Sequence, residues 1–229
     1  MTRDKDTRRS LLAGFGAAAA ALVLGSRRAR AQTTTPATAF QPERHPEDAW
    51  MDALPGKHRT VIDCAGATSA GTGIFYANNI FTANRSGYRL ADSDVAVIVI
   101  LRHQATTYAY SDAIWAKYGS VLAGMLQISD PETKEAPTVN PLNAREYGSI
   151  TTSAGVLATA VAGRGVHFGI CDMATNRIAG VIANAVGSSR QEIYEELVSG
   201  LLPNGHMVAA GVVAINRAQE YGYSMLTAV

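Results

Sequence analysis

The sequence predicts an α/β fold: a three-layer α/β/α sandwich around a mostly parallel sheet of about five strands. Three observations carry this. Short β-branched runs alternate with helical patterns nearly throughout the chain, as they do where crossover helices join the strands of one sheet. Residues 94–101 hold Val95-Ala-Val-Ile-Val-Ile-Leu101, apolar on both faces, which fits a central strand covered on both sides. The length beyond residue 31 suits one domain with a sizeable core.

Each element has its own signal. Residues 59–64 form a β-branched run ending at Cys64, and Ala65-Gly66 closes it. In residues 67–85, Ile74, Ala77, Asn78 and Phe81 fall at helical spacing until Ser86-Gly87 stops the pattern. The central strand ends at Arg102-His103, a loop follows, and a helix is expected over 112–119. Residues 129–148, with Asp130-Pro131 and Asn140-Pro141, have no periodicity. A connection of that length in a compact domain is often functional or interfacial. A helix is expected over 151–162, closed by Gly163, then a strand over 165–171 ending at Cys171. Helices over 173–185 and 191–202 follow, the second capped by Ser188 or Ser189. A short strand at 207–211, a helix at 212–221 and a strand at 223–227 complete the chain.

Residues 1–31 read as an address rather than as part of the fold. Arg8-Arg9 precedes Leu11-Leu12. An apolar stretch of about 15 residues follows, then Arg27, Arg28 and Ala29-Arg30-Ala31. The stretch is shorter than the roughly 20 residues a spanning helix needs. The arginine pair resembles a twin-arginine export signal, which implies folded export through the Tat translocase to the periplasm. An uncleaved signal acting as a membrane anchor is the alternative. Residues 32–57 read as an N-terminal tether, with 33–41 polar and Pro-containing, and 58–229 as the domain.

Removing the leader changes the charge. It holds seven of the 20 basic and two of the 19 acidic residues, so residues 32–229 carry 13 and 17, a net charge of −4. No basic stripe points to nucleic acid, and an acidic surface disfavours adhesion to anionic lipid. Two cysteines in a chain of this length are not a disulfide framework.

Four stretches together resemble the DsrE/DsrF-like superfamily. They are the opening from Val61 to Asn79, the strand from Asp94 to His103, the run Gly165-Val-His-Phe-Gly-Ile-Cys171, and the tail from Met207 through Gln219-Glu-Tyr-Gly-Tyr223. The likeness covers most of residues 58–226. It implies a three-layer sandwich that assembles into homo-oligomers. It also implies a role in sulfur metabolism, with Cys171 carrying sulfur as a persulfide, and a periplasmic redox or sulfur-donor protein as partner. Export, the 129–148 insert, Arg102-His103 and the 112–119 segment depart from the small relay members of that superfamily.

The residues also admit plainer readings. Cys171 ends a strand before a helix start, whose partial positive charge favours a thiolate there while Asp172 opposes it; otherwise it is a buried apolar cysteine. Cys64 is a helper that resolves an oxidised or persulfidated Cys171, a disulfide partner within about 7 Å, or a simple buried thiol. His103 is a general base, a metal or haem ligand, or a loop histidine bonded to backbone. His167 shares a strand face with Gly169 and Cys171 and reads as packed in the sheet; His45, His58 and His206 carry no spacing signal. Asp112, Trp115, Lys117 and Tyr118 form either a pocket wall beside His103 or core packing. The small residues 66–73 lack a nucleotide fingerprint and fit close helix–sheet packing better. No cofactor is expected on the sulfur-carrier reading. The alternatives are a non-catalytic module holding a small ligand, a metal or haem at the strand ends, and an oligomeric scaffold with buried cysteines.

Overall fold

All seven residues of Val95–Leu101 are buried, and they form the central strand of the sheet. The computed structural model describes residues 40–229, of which Pro42–Val229 form one compact unit. The leader and residues 32–39 of the tether lie outside the described residues. The elements are α1 (Ala49–Ala53), β1 (His58–Cys64), α2 (Ala67–Tyr88), β2 (Val95–Leu101), α3 (Asp112–Leu126), α4 (Ala158–Gly163), β3 (Val166–Cys171), α5 (Asp172–Val186), α6 (Arg190–Ser199), β4 (Gly205–Val208), α7 (Gly211–Glu220) and β5 (Ser224–Thr227). No helix among the described residues is long and apolar enough to cross a membrane.

Every strand pairs in parallel, in the order β4-β3-β2-β1-β5. The chain steps outward from β1 to β4, then returns across the sheet to pair β5 with β1. Parallel crossovers are right-handed. The outward steps therefore put their helices on one face and the return step puts α7 on the other. Ile62, Val97, Val99, Leu101, Phe168 and Ile170 pack against Ile74, Ala77 and Phe81 of α2 and Ile178, Ala179 and Ile182 of α5. Val61, Ala96, Ile98, Ile100 and Val208 pack against Ala214, Ile215 and Ala218 of α7 and Met51 of α1. The expected α/β sandwich is present, with all five strands parallel.

Three segments differ from expectation. Residues 151–157 are loop, and the helix starts only at Ala158. Their hydroxyls are spent on contacts: Thr152 Oγ1 lies 2.7 Å from the Thr68 carbonyl and 3.0 Å from Thr72 Oγ1. Buried Thr151 seats on α2 where a Cβ at Gly71 would overlap its carbonyl. Second, α3 runs past Gly119 to Leu126, because Gly119 admits the Pro137 carbonyl against the helix rather than ending it. Third, residues 42–57 are not all tether. Met51 is fully buried, Tyr223 donates from its hydroxyl to the Met51 carbonyl at 2.7 Å, and Arg59 Nη2 donates to the Asp52 carbonyl at 3.1 Å. Tether composition hid a strap that is needed to cover the sheet.

Gly71→Val should cost about 2–4 kcal/mol by displacing the 151–157 loop. Gly87→Ala, where a Cβ meets open space, should be neutral or stabilising by up to about 1 kcal/mol. Urea denaturation of both variants measures the contrast.

Candidate functional site

β3 and β4 are neighbours, yet the helices that follow them leave for opposite faces: α5 joins the α2 side and α7 the other. The chain parts between the two strand ends, the position at which open α/β sheets take ligands. Cys171 ends β3 and is paired with Val208, which ends β4. The same cysteine is the capping residue of α5, still extended at φ −66° and ψ 112°. No side chain caps the first turn of α5 or of α7, so the free N–H groups of two helix starts carry partial positive charge beside these strand ends.

Arg102 adds a full charge. Leu101 pairs with Ile170, so Arg102 follows one step on, beside Cys171, and alternation turns both side chains to the α7 face. Its Nε donates to Asp63 Oδ1 at 2.7 Å and its Nη2 to Asp63 Oδ2 at 2.9 Å, a two-pronged contact that fixes the plane of the guanidinium. The carboxylate raises the already high pKa of Arg102, with Cys171 and Cys64 adding in the same sense and burial opposing. Gly211 lets the start of α7 close on the Arg102 stem, since a Cβ there would press on Arg102 Cβ and Cγ. Asp172, next in the chain, is held by two donors: Tyr194 donates from its hydroxyl to Oδ1 at 2.5 Å and Asn176 Nδ2 donates to Oδ2 at 3.1 Å. That bond to Asp172 pushes the Tyr194 phenol up to about 12. Below the start of α5, buried Tyr110 donates to Thr175 Oγ1 at 3.1 Å. Arg102, Cys171 and two uncapped helix starts thus share the carboxyl ends of adjacent strands, with the Asp172 carboxylate engaged by Tyr194 and Asn176.

The two cysteines are free and do not meet. β2 stands between β1 and β3, which sets their backbones about 10 Å apart, beyond disulfide reach. Cys64 packs with the α2-side core, whereas Cys171 is one residue out of phase with Ile170 and faces the other way. Cys64 is fully buried against Gly73. Burial pushes its thiol far up, Asp63 adds to this and Arg102 opposes it. Cys171 keeps 7% of its surface.

His103 begins a 3-10 segment, His103–Ala109, with a left-handed backbone at φ 54°. Its exposed side chain lines a cleft of about 350 Å³ with Gln104, Thr107, Met125, Arg177 and Val181, and Cys171 is not among the lining residues. Trp115 and Tyr118 are buried. Lys117 and the Tyr118 hydroxyl bind Glu196 of α6, at 2.7 Å and 2.6 Å, and Asp112 accepts from the Asn140 backbone at 3.0 Å. That constellation is packing between elements, not a wall beside His103. Among the described residues no three His, Cys, Asp or Glu side chains converge as a metal site. Arg102, Asp63 and Gly211 escaped sequence reasoning. Their signal, a charged residue one step past a strand and an in-phase carboxylate, becomes visible only with strand order.

A thiol reagent should modify native protein at no more than one site, lost in Cys171→Ser and kept in Cys64→Ser; labelling of unfolded protein should reach both. Asp63→Asn leaves the guanidinium without its counter-charge and should cost about 1–3 kcal/mol, read by thermal or urea unfolding. Comparison with protein-family models, with curated proteins and with solved structures returned no match for this chain.

Proposed function

We propose that this chain is an exported thiol-handling protein of sulfur metabolism, in which Cys171 accepts and passes on a sulfur atom. One observation carries the reading: Cys171 ends β3 where α5 and α7 diverge, beside the guanidinium held by Asp63. Reactive thiols act as thiolates, and electropositive, partly accessible surroundings favour that form. In the transfer, the Cys171 thiolate attacks the terminal sulfur of a donor persulfide. The donor S–S bond breaks, the outgoing donor sulfur takes up the proton of the transferred sulfur and leaves as a thiol, and Cys171 gains a persulfide bearing the negative charge. No external oxidant is consumed. Arg102 and the helix starts stabilise the charge before and after transfer. The arginine-pair leader supports export of the folded domain, and an acidic mature chain fits a partner recognised by features other than nucleic acid.

The cleft at His103 favours a second reading, a module that binds a small ligand beside Arg177. Persulfide loading separates the two. Protein purified without reductant and treated with polysulfide should gain about 32 Da per sulfur, mapped to Cys171. Cys171→Ser should lose that gain, with unchanged circular dichroism, and Cys64→Ser should keep it. Equal loading of Cys171→Ser and wild type overturns the sulfur-carrier reading.

A further inference from the structure

Away from the cysteine site, two imidazoles face each other on the α7 side of the sheet. His167 sits within β3 and His206 within β4, and His167 Nδ1 lies 2.8 Å from His206 Nε2. At that distance the two nitrogens share one proton: one ring donates and the other accepts through its lone pair. Trp50 of α1 lies flat on His206, with ring centroids 4.0 Å apart and planes within 2°. Its indole also stacks towards His167 at 6.3 Å. The contact joins the α1 strap to β3 and to the edge strand β4. Two ligands are too few to hold a metal ion unaided, so the cluster is a contact that responds to protons.

We propose that the Trp50–His206–His167 stack is an acid-released clasp: neutral imidazoles hold the α1 strap on the sheet, and protonation lifts it to uncover the apolar face beneath. The groups around it are few. Asp48 pairs with Arg217 of α7 at 3.8 Å, and His45 and Glu47 line the adjoining cleft with Met207, Val208 and Val213. On the far side of α1, Asp52 binds Arg59 of β1 at 3.3 Å. Both carboxylates hold a cation across the seam, Asp48 with Arg217 and Asp52 with Arg59, so the variant that removes only the imidazole separates their response to acid from that of the histidines. Protonating both rings leaves no acceptor between them and sets two cations face to face under the indole.

The direction follows from burial. Desolvation lowers the pKa of both rings, and His167 lowers His206 further, to about 4. A histidine with a folded value below its free value of 6.5 is neutral in the closed form. Closure is therefore fully favoured above pH 6.5 and loses favour as pH falls towards 4, by at most about tenfold per pH unit for each proton taken up. Partial exposure of the rings keeps the whole effect below about a hundredfold. Lifting the strap withdraws Met51 and bares Val61, Ala96 and Ile98.

The test is amide hydrogen exchange of the mature protein from pH 7 to pH 4, corrected for intrinsic exchange, with imidazole titration by NMR alongside. The expected result is loss of protection in α1 between pH 6.5 and pH 4 while β2 and α5 stay protected. His206→Phe, which keeps a flat ring under Trp50 and cannot titrate, should hold α1 protection to lower pH. Protection lost at the same pH in His206→Phe as in wild type overturns the clasp and assigns the acid response to carboxylates. Should the variant be unfolded, the wild-type titration decides alone. Depressed His167 and His206 titrations that coincide with α1 opening support the clasp, and ordinary values near 6.5, or opening uncoupled from them, overturn it.

Discussion

The return of the chain from β4 to β5 is the constraint on which the rest depends. Every earlier connection moves outward across the sheet, so right-handed crossovers stack the intervening helices on one face. The return runs the opposite way and must place α7 on the other face. That single reversal makes the third layer. It also parts α5 from α7 at the ends of β3 and β4, where Cys171 lies. The site is thus a by-product of topology before it is a set of side chains.

The same reversal leaves the second face thinly covered. Five strands at about 4.8 Å spacing span roughly 20 Å, and one helix with its side chains covers about 10 Å. Ala214, Ile215 and Ala218 of α7 cannot reach the whole face, and the apolar remainder around Val61 and Ile98 has to be covered by something else. The chain uses residues just before β1. Met51 enters the core, and Arg59, Tyr223 and Arg217 anchor the strap through Asp52, the Met51 carbonyl and Asp48. The other face is sealed differently. There glycines let backbone meet backbone, as where Thr151 seats on Gly71, and three long helices supply the bulk.

What could be read from the sequence follows from which forces act locally. The apolar run at 95–101, the helical spacing of Ile74, Ala77 and Phe81, and Ser189 with its reciprocal Glu192 cap all express short-range rules, and each appears where expected. Residues 151–157 did not, because a Thr/Ser/Ala run satisfies helical composition equally well until α2 offers carbonyls for its hydroxyls. Gly119 read as a stop and is instead a point of close approach. The strap was invisible because its burial depends on a face that only the return crossover exposes. For the site, Cys64, His103 and Cys171 were all placed at strand ends. The strand order that separates Cys64 from Cys171 and brings Arg102 to Cys171 is a global property, and no local pattern encodes it.

That order gives two identical side chains opposite chemical settings at one edge of the sheet. Cys64 and Cys171 both end parallel strands, yet one residue of phase turns Cys64 into the α2 core, where desolvation holds its thiol protonated. The other phase turns Cys171 towards a guanidinium and two uncapped helix starts. Asp63 sharpens the contrast. It stands beside Cys64 in the chain, where its charge disfavours a second anion, and its carboxylate is spent on fixing Arg102, which serves the neighbouring site. The half-buried ion pair therefore stands between the two cysteines, its carboxylate raising the Cys64 thiol and its guanidinium lying one step past the strand beside Cys171. The difference between the two thiols therefore comes from the phase of each strand end and not from residue type.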